Sequence, residues 1–398
     1  MGIYGPEGSL TGLLNATDNS NEPRQSINEA GTIIGLCATF MTIAWLCVGF
    51  RMYTRYNIVK SPGLDDLFVI FSLVTMSANL IVICLSTKSG LGEHIFSLGL
   101  LSDPPDVSVV TEFFKKSYVF NGTYCMATAF IKISLLLQYM RLYRRGTWLF
   151  TICQYTLGFT ALWGLAYSII AWFPCSNISD YWYIATDGST NDVKCWGYGS
   201  QKIVDFKATY ESHAAINVAL DLLVMALPIP LYFDSDAHKK TKWGLVGIIV
   251  MGTVVNIFSL WRLAVTIQNQ VTTYPTFDPT WYSPTPMVMA GLEIASACIC
   301  ASVPVFWGPM LSSASQLLGS IFVTHEVKVT SEHRFQGLGS RDAFGDRDLE
   351  MQTASLSRQG SEANLHNAAG SPRRKTRVEE WADKGGRNLK YQETWLQK

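Results

Sequence analysis

The chain repeats one pattern: a run of about twenty apolar residues, then a polar stretch. Seven such runs are legible, at about Gly31–Phe50, Leu67–Leu85, Ser117–Met140, Trp148–Phe173, Ala208–Leu231, Trp243–Ile267 and Pro284–Trp307. A helix needs about 20 residues to cross the roughly 30 Å hydrocarbon layer of a bilayer. Lipid offers no partner to backbone N–H and C=O groups, so runs of this length must close their hydrogen bonds as helices. A helix on a soluble core keeps a polar face. Seven runs in series, apolar on nearly all sides, therefore predict an all-α membrane protein with a seven-transmembrane helix bundle.

The flanks read differently. Residues 1–30 are polar, with Pro6, Asp18 and Glu22 where a cleavable signal would need its apolar region. Pro6 also breaks the myristoylation pattern that Gly2 would start. The first run is thus expected to act as an uncleaved anchor. After Pro309 the chain turns polar again. Met310, Ala314, Leu317, Leu318, Ile321 and Phe322 recur at near-helical spacing. They suit either a short amphipathic helix on the inner leaflet or the fraying end of the seventh run. Beyond Thr324 few large apolar residues remain, and disorder is expected. Ser357 and Ser371 resemble kinase substrates, a pattern common in basic tails. The domain plan is an extracellular segment at 1–30, a transmembrane domain at 31–309 and a cytoplasmic tail at 310–398.

Composition supports the greasy body. Charged residues make up 16% of the chain, against roughly 25% in soluble domains. The formal net charge is zero, which gives no case for nucleic acid.

Orientation follows from basic residues in short loops, which favour the cytoplasm. The first connection carries Arg51, Arg55 and Lys60, the third Arg141, Arg144 and Arg145, the fifth Lys239, Lys240 and Lys242. The even connections hold Lys88, Lys115, Lys116, Lys194, Lys202 and Lys207, so the bias is modest. It predicts the N-terminus outside and the C-terminus in the cytoplasm. The glycosylation sequons at Asn15 and Asn177 then fall outside. A third sequon, at Asn121, sits at the mouth of the third run, too close to the membrane for modification. Of nine cysteines, Cys175 and Cys195 alone lie in a polar stretch, on one outer loop. A disulfide between them is expected there, two free thiols being the alternative. Cys298 and Cys300 lie in an apolar run and read as small hydrophobes; no metal site is expected.

Four ionisable residues lie within the runs: Lys132, Asp221, Arg262 and Glu293. Such groups cost at least about 2.5–3.5 kcal/mol each at mid-bilayer, so they face the bundle and find partners. Counting from the inner helix ends at 1.5 Å per residue puts Lys132 and Asp221 at one level. Arg262 and Glu293 share the outer halves of their helices. Two interhelical ion pairs are expected, serving either bundle packing alone or a ligand site. Asn217 and His213, one and two turns from Asp221, are candidates to line the same cavity.

Further residues form an ordered set: Asp65-Asp66 entering the second run, then Gly90-Leu91-Gly92-Glu93-His94. Lys132-Ile133-Ser134-Leu135-Leu136 follows, with Tyr139 and Arg141. Cys175, Trp182 and Cys195 come next, then Asn217, Asp221, Pro228 and Pro230, and finally Arg262, Asp278, Glu293 and Pro304. From about Gly31 to Pro309 the chain resembles the fungal rhodopsin-domain family of integral membrane proteins. That group includes Pth-type receptor-like proteins and members encoded beside secondary-metabolite genes. Two departures stand out. Asn177 replaces a proline the family often has two residues after the first loop cysteine, and so creates the sequon. Residues 1–30 hold no cysteine, so the cysteine-rich outer domain of some Pth-type members is absent there, which weakens a receptor role carried over from them.

The family's name does not imply retinal. Retinal proteins use a lysine in their last helix, and residues 284–307 contain none. No cofactor is expected. The segment Tyr139-Met140-Arg141-Leu142-Tyr143 lacks the acidic-Arg-aromatic triplet of rhodopsin-class receptors, and the seventh run lacks their Asn-Pro-x-x-Tyr motif. Two functions stay open. One is receptor-like sensing without retinal. The other is a membrane enzyme or transporter of a secondary-metabolite pathway, built on the intramembrane charges. No internal repeat of the transporter kind is visible, and no catalytic residue is assigned. The implied partners are the bilayer, a lipophilic small-molecule ligand and a cytoplasmic signalling partner. The plasma membrane is the expected location, an endomembrane the alternative.

Overall fold

The computed structural model describes residues 19, 21–98, 108–187, 194–232 and 239–322. Seven long helices occur among them: α1 Ala30–Tyr53, α2 Leu64–Ser86, α3 Ser108–Leu142, α4 Trp148–Trp172, α5 Ile203–Ala226, α6 Lys239–Gln268 and α7 Pro284–Phe322. Short helices at Asp180–Asp187, Ile229–Tyr232 and Pro279–Tyr282 decorate the connections. The described residues hold no strand beyond an isolated bridge between Cys175 and Cys195. Residues 1–315 make one compact unit, to which everything below belongs; of 316–398 only the helical backbone of 316–322 is described. The sequon at Asn15, the apolar stripe at 310–322 and the polar tail lie outside the described residues or side chains.

Six helical segments are long and apolar enough to cross a membrane: Ala30–Ile58, Leu64–Ser89, Ser108–Leu142, Trp148–Trp172, Val246–Gln268 and Pro279–Phe306. The 24-residue α5 falls short of that standard because Glu211, His213, Asn217 and Asp221 dilute it. Its polar residues are spent on the interior, where His213 and Asn217 are buried. Among the described residues large apolar side chains face outward, while charged ones are buried within an otherwise apolar core. Trp45, Leu46, Leu162, Leu165, Val250 and Trp261 are each half exposed or more, while Arg51, Lys132, Arg262 and Glu293 are buried. Water would penalise that surface and lipid does not, so this is a multi-pass membrane protein.

Central α3 and α7 are enclosed on most sides, whereas α1, α4 and α6 turn most of their surface outward. The third helix begins at Ser108, nine residues before the expected Ser117, so Lys115 and Lys116 belong to a helix rather than a loop. Lys207 likewise sits on α5. Hydropathy marks where lipid ends, not where hydrogen bonding ends, and both helices continue past that border. The fifth run stops early instead: α5 ends at Ala226, and Leu227-Pro228 separate it from the turn Ile229–Tyr232, which holds Pro230.

Arg51, read above as a loop charge, is fully buried in the last turn of α1. Its guanidinium meets Asp65 at 2.6 Å and Asp66 at 2.9 Å, and donates to Gln138 Oε1 at 2.9 Å and the Ala301 carbonyl at 2.6 Å. One side chain thus ties α1 to α2, α3 and α7. Arg55 and Arg141 also reach Asp65, at 3.2 and 3.0 Å. Gly63 makes room for this: a Cβ there would overlap the Arg141 guanidinium.

Buried Asp278 organises the opposite end. It accepts from the backbone N–H groups of Ile95 at 3.1 Å and Trp281 at 3.2 Å, from Asn19 Nδ2 at 3.1 Å and from the Thr280 hydroxyl at 3.0 Å. His94 stands 2.9 Å away through Nδ1 and stacks on Trp281 with ring centroids 3.7 Å apart. Gly92, at φ 92°, turns the loop so that its N–H reaches the Thr280 carbonyl at 2.9 Å. A side chain there would strike the Asn28 carbonyl. One carboxylate therefore pins the N-terminal segment and two connections over the mouth of the bundle.

Asp278→Ala leaves several buried donors unpartnered and should cost on the order of 3 kcal/mol. Asp278→Asn, which keeps an acceptor oxygen, should cost less. Thermal unfolding of the detergent-solubilised chain checks the order. A wild-type melting temperature for the alanine variant would remove Asp278 from this role.

Candidate functional site

The four intramembrane charges meet in the middle of the bundle. Lys132 Nζ stands 2.8 Å from Asp221 Oδ1, joining α3 to α5. Arg262 Nε stands 3.1 Å from Glu293 Oε2, joining α6 to α7. Asn217 links the two pairs. Its Oδ1 accepts from Lys132 at 2.7 Å, and its Nδ2 donates to Glu293 at 2.7 Å and Asp221 at 3.1 Å. The α-helical repeat makes this possible, because Asn217 and Asp221 are four residues apart on one face of α5. All five side chains are within a tenth of full burial. Two cations face two anions, so the seam is neutral, as a low-dielectric interior requires.

His213, one turn further along α5, stacks on Trp163 with ring centroids 4.8 Å apart. Tyr124 meets its edge at 5.4 Å. The Tyr124 hydroxyl donates to Glu293 at 3.4 Å, and its ring lies 5.0 Å from the Arg262 guanidinium carbon. That geometry adds a cation–π contact to the ion pair.

The seam separates two cavities. The smaller, about 30 Å³ of space for water-sized molecules, touches Lys132, Asp221, Glu293 and Asn256. The larger, about 160 Å³ by the same measure, opens toward the end capped by Asp278. Its floor is Tyr124, His213 and Arg262. Its walls are mostly aromatic, including Phe113, Phe120, Tyr198, Phe206, Tyr210 and Phe277. Asn121 belongs to this wall: buried, it donates to the Tyr210 hydroxyl at 2.8 Å. Burial pushes the Tyr198 phenol well above its ordinary pKa, and its hydroxyl stands 3.4 Å from Cys125 Sγ.

A disulfide joins Cys175 to Cys195 and braces the loop over this wall. The segments around it pair through Ser176 N–H to the Lys194 carbonyl at 2.9 Å and Trp196 N–H to the Pro174 carbonyl at 2.8 Å. Trp182 packs 6.0 Å from Tyr118 beside the same opening. Asn177 is exposed there, donating to Asp180 at 3.0 Å. The remaining motif residues lie elsewhere. Gly90, Gly92 and His94 form the cap, whereas Asp65, Asp66 and Arg141 hold the far end; neither group touches the seam. Among the described residues no cluster of histidine, cysteine or carboxylate side chains could hold a metal.

Sequence reasoning had no means to find the bridging role of Asn217 or the aromatic walls. Asparagine carries no charge to count, and aromatic residues serve lipid-facing and cavity-facing positions alike.

A neutral ionic seam below a partly enclosed aromatic cavity, all within a helical membrane domain, defines the class of protein. The sequence profile of the fungal rhodopsin domain matches residues 50–312, and the chain belongs to that family. It is 25% identical over 300 residues to a SAT4 family membrane protein of Emericella nidulans, covering 75% of this chain and 64% of that protein. It is 22% identical over 192 residues to satratoxin biosynthesis SC1 cluster protein 4 of Stachybotrys chartarum, covering 47% of this chain and 61% of that one. The matches thus span less than two thirds of both curated relatives.

Removing one member of a buried pair strands the other, at a cost of roughly 3–5 kcal/mol. Lys132→Met and Asp221→Leu should each reduce the yield of monodisperse protein in gel filtration. The double variant Lys132→Asp/Asp221→Lys should recover part of it. A double variant no better than the singles would show that the two residues do not act as a pair.

Proposed function

We propose that this protein is a receptor-like sensor that binds a lipophilic small molecule without retinal. In this reading α5 crosses the membrane with the other six helices, the N-terminus lies outside and the C-terminus lies in the cytoplasm. The plasma membrane is its proposed site. The observation that carries the reading is the aromatic cavity whose floor is the ionic seam. Concave, mostly apolar pockets with a few convergent polar groups are the usual form of small-molecule sites. A ligand on Arg262 would act on Glu293 through their ion pair, and through Asn217 on the Lys132–Asp221 pair, so occupancy reaches four helices.

A second reading places the protein as a membrane component of a secondary-metabolite pathway. It is favoured by the name of one relative, a satratoxin biosynthesis cluster protein. The two readings separate in one comparison. A sensor changes G-protein or cAMP output when a lipophilic stimulus is added, and a cavity-filling Ala290→Phe variant abolishes the response. A pathway component leaves signalling flat, and its deletion removes a product from the metabolite profile.

Topology has its own test. With Asn177 outside, enzymatic deglycosylation should speed the migration of the wild-type chain, and Asn177→Gln should lose one step of that shift. A wild-type band that does not move would count against the outer placement of this loop. Modification at Asn15 is proposed on the same grounds and would add a second step.

A further inference from the structure

Two buried nitrogens at the cavity floor have no hydrogen-bond partner. Arg262 commits Nε to Glu293 at 3.1 Å, while its Nη2 is unpartnered. His213 Nε2 is unpartnered as well. Both side chains are more than nine-tenths buried, and both line the larger cavity. Leaving such donors unmet is costly, and more so for a charged group. We infer that the cavity takes a neutral, ring-bearing molecule whose carbonyl or ester oxygen accepts from Arg262 Nη2, with His213 alongside.

Charge decides the class. Arg262 and Lys132 are already balanced by Glu293 and Asp221. A carboxylate ligand would leave the buried seam with one net negative charge, and an ammonium with one net positive charge set against Arg262. Either carries a desolvation penalty that the paired seam no longer offsets. A neutral acceptor satisfies the guanidinium N–H without adding charge. His213 Nε2 can donate or accept according to its tautomer, so it also suits a carbonyl or a hydroxyl. The walls decide the shape. Phe113, Phe120, Phe206 and Phe277 offer faces and edges that favour flat rings. Of the amides in the wall, Asn121 donates through Nδ2 to Tyr210 and Tyr181, whereas Gln201 Nε2 is another buried donor without a partner and likewise suits a neutral acceptor.

This inference rests on the cavity being a ligand site. The test therefore uses four probes on one skeleton: fluorene, fluorenone, fluorene carboxylic acid and aminofluorene. Binding to the full chain in nanodiscs is measured by equilibrium dialysis. Fluorenone should bind roughly tenfold tighter than fluorene, as expected for one hydrogen bond from a charged donor, and tighter than the acid or the amine. Arg262→Lys keeps a charge opposite Glu293 but loses the planar fork, and should erase the advantage of the ketone while sparing fluorene. If that variant is not monodisperse, His213→Phe, which leaves the seam intact, should reduce the advantage of the ketone. An acid or amine that binds as well as the ketone overturns the inference but leaves the ligand site standing. So does a ketone advantage that survives both substitutions. Binding by none of the four overturns both.

Discussion

Asn217 turns two ion pairs into one object. Without its amide, Lys132–Asp221 and Arg262–Glu293 would be separate contacts between neighbouring helices. With it, α3, α5, α6 and α7 share a single hydrogen-bonded seam. Lipid gives helices no hydrophobic reason to associate, so packing and interhelical hydrogen bonds must supply the register. A neutral, fully buried seam does that with few alternatives, because any slip of a turn leaves a charge unmatched. The cavity above and the smaller space below both take their boundaries from it.

The two ends of the bundle repeat the logic with other groups. Arg51 gathers four helices at one end through two carboxylates, an amide and a backbone carbonyl. Asp278 gathers the connections at the other through backbone and side-chain donors. Each is a charge satisfied wholly from within the protein. Three polar centres, one at mid-depth and one at either end, hold an exterior that is otherwise free to be apolar.

How much of this the sequence disclosed depends on what kind of signal each feature leaves. The long apolar runs were plain because their length is set by membrane thickness and little else. The level shared by Lys132 and Asp221 followed from counting residues along two helices. Arg51 was misread, since an arginine just past an apolar run looks the same whether it faces headgroups or turns inward. Only Asp65 and Asp66, arriving from the next helix, decide between them. The starts of α3 and α5 were missed for a related reason: Lys115, Lys116 and Lys207 interrupt hydropathy without interrupting the helix. The aromatic cavity left no periodic trace, because its walls come from five separated segments of chain.

The two buried centres on α7 bear on how occupancy could be felt at a distance. Glu293 belongs to the seam, and the Ala301 carbonyl accepts from Arg51. They are two turns apart on one helix, about 12 Å along its axis. On the sensing reading, a ligand that draws Arg262 toward the cavity loosens Glu293 and shifts α7 against its neighbours. Arg51 then loses or keeps its carbonyl, while Asp65 and Asp66 hold it in place. A helix that offers its backbone to a buried guanidinium cannot slide freely without breaking that hydrogen bond, which makes the contact a discrete one. Coupling through a discrete element of that kind, rather than through a continuous path of contacts, is what would let a change in the cavity reach the far end of the bundle.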